Sequence, residues 1–124
     1  MKSQQKSILI IDDEPRNIFA LRMVLRSRGY QTLSAADATA GLQMMRAHDD
    51  IGIVLLDMMM PGVDGYQALR EIRMDGQIGH IPVIAVTAQA MKGDREKCLQ
   101  AGATGYISKP VDVEQLTSFL KQYL

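Results

Sequence analysis

Three stretches of the chain are apolar without a break, "ILII" at 8–11, "IGIVLL" at 51–56 and "IPVIAV" at 81–86, and all three are rich in β-branched residues. Runs of that length without polar alternation are the pattern of strands covered on both faces, so they predict central strands of a parallel sheet. Two further segments, "YQTLSA" at 30–35 and "TGYISK" at 104–109, are mixed in the manner of edge strands. Between the strands the period becomes helical. Apolar positions fall at Ile18, Leu21, Val24 and Leu25, at Leu42 and Met45, at Tyr66, Leu69 and Ile72, and at Val113, Leu116 and Leu120. Pro15 suits a first helical turn, Gly29 after "RSR" suits a C-terminal cap, and Gly102 closes "REKCLQA". The segment 89–101, interrupted by Gly93 and only loosely amphipathic, is the weakest helix and is expected to move most.

Strands alternating with helices in this way predict an α/β fold with right-handed crossovers, a doubly wound parallel sheet with helices on both faces. Such sheets bind ligands beyond the carboxyl ends of their strands, where the strand order reverses. The expected organisation is a flexible polar segment over residues 1–6, followed by one domain over 7–124.

Composition narrows the function. At 124 residues there is room for one ordinary core, and 14 basic against 14 acidic residues leave no global field to attract nucleic acid or anionic lipid. The single cysteine, Cys98, excludes an internal disulfide or a cysteine-based zinc cage, and His48 and His80 lack ligand spacing. The apolar start at 8–11 is too short for a signal peptide or a membrane span, so a soluble cytoplasmic protein is expected.

The chemistry lies in the residues that close each apolar run: Asp12 and Asp13, then Asp57, Thr87 and Lys109. All would meet on one rim of the sheet. Taken singly each has a plain explanation. Asp12, Asp13 or Glu14 could cap the first helix ahead of Pro15, Thr87 could be an ordinary strand residue, and Lys109 a solvated strand end. Asp64, in "VDGY", reads only as a cap. Taken together they are a site. Clustered carboxylates repel one another unless a cation sits among them, and magnesium prefers hard oxygens and shares its shell with phosphate. Thr87 and Lys109 would suit the outer oxygens of a phosphoryl group.

The stretches "DDE" at 12–14, "LLDMMMPGVDG" at 55–65, "VTA" at 86–88 and "SKP" at 108–110 resemble, in order and spacing, the receiver domain of two-component response regulators. The resemblance spans Ile8 to Leu124. It implies a flavodoxin-like, five-stranded sheet in the order 2-1-3-4-5 flanked by five helices. It implies that Asp57 takes a phosphoryl group from a phosphohistidine on a histidine kinase or histidine phosphotransfer protein, without further enzymatic activity. Asp12, Asp13, Asp57 and the Met59 carbonyl would bind magnesium, with manganese as a substitute. Thr87 and Lys109 would hold phosphoryl oxygens, and the Lys109–Pro110 bond would be cis. Thr87 and Tyr106 would form a switch pair that remodels the surface of helix 4, strand 5 and helix 5, over residues 89–124. Met59 and Gln89 would set the lifetime of the acyl phosphate. Because methionine cannot orient an attacking water, self-dephosphorylation is expected to be slow to moderate.

Two arrangements fit the resemblance: a stand-alone regulator, or the receiver of a hybrid histidine kinase, to which Asn17 and the stretch 90–112 are similar. Haloacid dehalogenase phosphatases also combine an aspartate nucleophile with magnesium, threonine and lysine. Their nucleophile ends the first strand in an Asp-x-Asp pattern, whereas here the single aspartate follows the third. A flavodoxin-like cofactor carrier would need a phosphate-cradling loop where "DDEPR" places negative charge.

Overall fold

The computed structural model of the protein describes residues 6–88 and 92–124. Five strands, β1 (Ser7–Ile11), β2 (Gln31–Ala35), β3 (Ile51–Asp57), β4 (Val83–Thr87) and β5 (Gly105–Ser108), form one sheet in the order β2-β1-β3-β4-β5. Every pairing is parallel. Five helices alternate with them: α1 (Pro15–Ser27), α2 (Ala38–Ala47), α3 (Gly65–Met74), α4 (Asp94–Ala101) and α5 (Val113–Tyr123).

The unbroken apolar runs divide, residue by residue, between two cores. Leu9, Ile11, Val54, Leu56, Val83 and Ala85 point to the face covered by α2, α3 and α4, where they meet Leu42, Met45, Leu69, Ile72 and Cys98. Ile8, Ile10, Ile53, Leu55, Ile84 and Val86 point the other way, against Leu25 of α1 and Leu116 and Leu120 of α5. Successive side chains of a strand leave opposite faces, so a strand covered on both sides has no polar position to spare. The two mixed strands, β2 and β5, are the edges.

The β4 strand begins at Val83, two residues later than the apolar run. Pro82 has no N–H for a ladder, although its carbonyl accepts from the Val54 N–H at 2.9 Å. The Ile81 N–H turns back to the Ile78 carbonyl.

Carboxylates cap four helices: Glu14, Asp37, Asp64 and Asp112 each accept from backbone N–H groups of the first turn. Of the acidic residues ahead of Pro15, Glu14 is therefore the one that caps α1, and Asp64 caps α3 as its sequence context predicts. Helix α4 differs. It starts after Gly93 in the left-handed region (φ 86°) with no side-chain cap, and it buries only Cys98 and Ala101. The weak helix expected over 89–101 is thus shorter, and residues 89–91 lie outside the described part of the chain.

Candidate functional site

Because all five strands run parallel, their carboxyl ends share one rim, and the order of the sheet reverses there between β1 and β3. Asp12 follows β1 directly. It is 3% exposed, and its Oδ1 accepts from the Glu14 N–H at 2.8 Å. Asp13 beside it is exposed. Asp57 is the last residue of β3, 5% exposed, and its Oδ1 accepts from the Met59 N–H at 2.9 Å. Thr87 ends β4 and is fully enclosed, and its carbonyl accepts from the Lys109 N–H at 2.7 Å. That bond brings Lys109 back over the rim, where the Lys109–Pro110 peptide is cis. The lysine Nζ stands 3.5 Å from Asp12 Oδ2 and 3.5 Å from Asp57 Oδ1.

Oxygens of Asp12, Asp13 and Asp57 lie within 4.8 Å of one another. Among the described residues Lys109 supplies the ammonium beside Asp12 and Asp57, the two carboxylates that are out of water. The Asp57 carboxyl is pushed above the ordinary carboxylate range, first by burial and then by the Asp12 charge, against the opposing pull of the Met59 N–H and Lys109. A divalent cation that prefers oxygen fits this donor set, because it would offset the charge that burial leaves uncompensated.

Met59 sits in the turn after β3 with its side chain 40% exposed, next to the carboxylate it bonds through its N–H. Gln89 lies outside the described residues. Asn17 lines a cleft of about 520 Å³ between α1 and α5 that also reaches Asp12, Asp57 and Lys109. Tyr106, half-buried on β5, donates its hydroxyl to Asp94 Oδ2 at 2.9 Å.

Asp94 was not legible as a site residue. Its Oδ1 accepts a second phenol, from Tyr66 of α3, at 2.5 Å, and Lys97 Nζ stands 5.0 Å from the centre of the Tyr66 ring. Burial, then the Asp94 bond, raises the Tyr106 phenol to about 12, and the same carboxylate is the leading cause of the upward shift at Tyr66. Both hydroxyls are donors at neutral pH. Three elements far apart in sequence supply these groups, so no local pattern announces them.

A doubly wound sheet of order 2-1-3-4-5 with carboxylates, a threonine and a lysine on its switch-point rim defines the receiver class of flavodoxin-like proteins. Residues 8–121 match the family described as "Response regulator receiver domain", and the chain belongs to it. It is 37% identical over 119 residues to the polar-differentiation response regulator DivK of Brucella anthropi, with 96% of each chain covered. It is similar to the receiver domain of the Pseudomonas aeruginosa sensor histidine kinase PA1611, solved with a magnesium ion coordinated in its active-site cleft. That likeness has 36% identity and a TM-score of 0.84, covering 96% of this chain and 97% of that one. The Saccharomyces cerevisiae Ssk1 receiver, solved with the histidine phosphotransfer protein Ypd1, shares the fold at 20% identity (TM-score 0.83, covering 99% and 91%). The protein is a receiver domain of two-component signalling, and the dehalogenase and cofactor-carrier readings fall away.

Proposed function

We propose that Asp57 accepts a phosphoryl group from a phosphohistidine on a histidine kinase or histidine phosphotransfer protein, and that the modified rim signals through the surface formed by α4, β5 and α5. The observation that carries this reading is a buried carboxylate at the end of β3, within 3.5 Å of Lys109 and clustered with two other carboxylates. An Asp57 carboxylate oxygen forms the new O–P bond as the P–N bond to the donor imidazole breaks. The imidazole keeps the electron pair and takes a proton from solvent.

In this reading the Lys109 ammonium and the Thr87 hydroxyl take the outer phosphoryl oxygens, orient the group and carry part of its charge. A magnesium ion held by Asp12, Asp13, Asp57 and the Met59 carbonyl, or manganese in its place, would neutralise the oxygens of the transferring group. Thr87 and Tyr106 form the switch pair: the threonine hydroxyl is drawn to the phosphoryl group and the tyrosine turns inward. Met59 and Gln89 set how long the acyl phosphate survives.

The donor's approach is favoured by α1, which leaves Phe19 and Met23 66% and 58% exposed in a shallow depression shared with Asp12 and Asp13. Apolar side chains left uncovered beside a reactive rim suit a docked protein better than a small molecule. The proposed chemistry suits either arrangement, a stand-alone regulator or the receiver of a hybrid kinase, and the proteins the chain resembles include both a response regulator and a sensor-kinase receiver domain. The proposed place of action is the cytoplasm; none of the described helices is long and apolar enough to cross a membrane.

Intact-mass measurement after incubation with magnesium and a small acyl-phosphate donor tests the central step. The expected result is one added phosphoryl mass on the wild type and none on Asp57→Asn. Equal gain by both, or none by either, overturns the assignment.

A further inference from the structure

Asp94 binds two tyrosines that the proposed chemistry does not by itself require to be joined. Its Oδ1 accepts from Tyr66 at the start of α3, and its Oδ2 accepts from Tyr106 on β5. One side chain in the first turn of α4 thus bridges three elements. The rest of α4 is thinly held: it has no side-chain cap, it buries only Cys98 and Ala101, and its start is flanked by left-handed Gly93. A carboxylate in a first turn would ordinarily face the helix's own free N–H groups. Here it faces two phenols instead. Between this carboxylate and the turn after Asp57 lies a cavity of about 410 Å³, lined by Met58, Met59, Tyr66, Thr87, Asp94 and Lys97. The first turn of α4 therefore has open space on the side facing the phosphoacceptor.

We propose that Asp94 is a positioning residue that holds the unphosphorylated arrangement of the response face, with Tyr66 as its anchor and Tyr106 as the group it restrains. The proposal rests on Asp57 being the phosphoacceptor. Tyr106 can turn inward only by giving up its bond to Asp94, whereas the Tyr66 bond can persist. Helix α4 then stays tied to α3 while β5 is released. The lysine against the Tyr66 ring adds an attraction that keeps the anchor in place. Because the phosphoryl group must outweigh this restraint, the clamp lowers the population of the active arrangement before phosphorylation and so sets the threshold for switching.

The test uses the full chain with its tyrosines replaced by 3-fluorotyrosine and the Tyr106 resonance assigned through Tyr106→Phe. Fluorine NMR and the rate of phosphorylation by a small acyl phosphate with magnesium are read for the wild type, Asp94→Asn, Asp94→Ala and Tyr66→Phe. In both Asp94 variants the unphosphorylated Tyr106 resonance is expected to move toward its position in the phosphorylated wild type. Their phosphorylation is expected to quicken about tenfold, the effect of a modest tilt in a two-state equilibrium. Tyr66→Phe should fall between them and the wild type. Asp94→Asn guards against a misfolded alanine variant. Variants that melt at a lower temperature but keep the wild-type resonance and rate would make Asp94 a structural contact only, and would overturn the proposal. A wild type that gains no phosphoryl group counts against the Asp57 reading instead, and an unmoved Tyr106 resonance in both Asp94 variants still sinks the clamp.

Discussion

The Nζ of Lys109 lies 3.5 Å from Oδ1 of Asp57 although β5, which Lys109 follows, and β3, which Asp57 ends, are separated in the sheet by β4. The lysine reaches across the end of β4 because its own N–H is fastened to the Thr87 carbonyl there. Lys109→Met is therefore expected to slow phosphorylation of Asp57 by roughly 10²–10³, the scale of losing one preorganised charge at a reacting oxygen. Lys109→Arg should not restore it, since a planar guanidinium cannot take the place of a compact ammonium between two carboxylates. Time courses of phosphoryl incorporation by intact mass check both.

Asp57 is held above the ordinary carboxylate range by burial first and the Asp12 charge second. A carboxyl raised in the folded state binds its proton more tightly there than in the unfolded chain. Its ionisation therefore costs stability at neutral pH, and the cost disappears as pH falls through the raised folded value. Asp57→Asn is expected to melt a few degrees higher than the wild type at neutral pH, at about 4 °C per kcal/mol for a domain of intermediate size. The difference should shrink on acidification, and added magnesium should stabilise the wild type more than the variant. A melting series in pH, with and without the cation, measures this.

At the opposite end of the sheet Arg73 of α3 donates to four neutral oxygens: the carbonyls of Gly102 (2.7 Å), Gly79 (3.1 Å) and Ile81 (2.6 Å), and the Thr104 hydroxyl (3.1 Å). Arg73→Ala leaves several partly buried acceptors without this donor and is expected to cost about 2–4 kcal/mol in urea unfolding. Gly102→Ala should act on the same bracket. Gly102 sits at φ 119°, and a Cβ there would come 2.5 Å from Arg73 Cγ.

Phe19 and Met23 stand one helical turn apart on the uncovered side of α1. Replacing both with alanine is expected to slow transfer from a phosphohistidine donor protein by about tenfold or more, as loss of apolar anchors does at an interface. Phosphorylation by a small acyl phosphate should be unchanged. Parallel assays with the two donors separate docking from chemistry.

Met59 is 40% exposed beside the proposed acyl phosphate and carries no group able to orient water. Met59→Asn is expected to shorten the life of phosphorylated Asp57 severalfold, because the asparagine amide can orient an attacking water. The decay of the added phosphoryl mass after removal of the donor reads it directly.

Much of this was legible along the chain. The apolar runs at 8–11 and 51–56 lie within β1 and β3 because a strand buried on both faces tolerates no polar position, and that rule is local. Asp64 could be read as a cap for the same reason, since its partners are the N–H groups of Tyr66 and Gln67. The start of β4 was less legible: the apolar run continues through Ile81 and Pro82, but proline cannot donate to the ladder, so pairing begins at Val83.

The sequence by itself determined the alternation of strands and helices, and it set an acid, a hydroxyl or a cation at the carboxyl end of every strand but β2, because periodicity and chain order are local properties. The tertiary structure alone decided that Glu14 rather than Asp12 or Asp13 caps α1, that Lys109 lies against both buried carboxylates, and that Asp94 gathers Tyr66 and Tyr106. Those are distances between elements remote in sequence. They are set by how the helices pack on the two faces of the sheet, and no spacing along the chain encodes them.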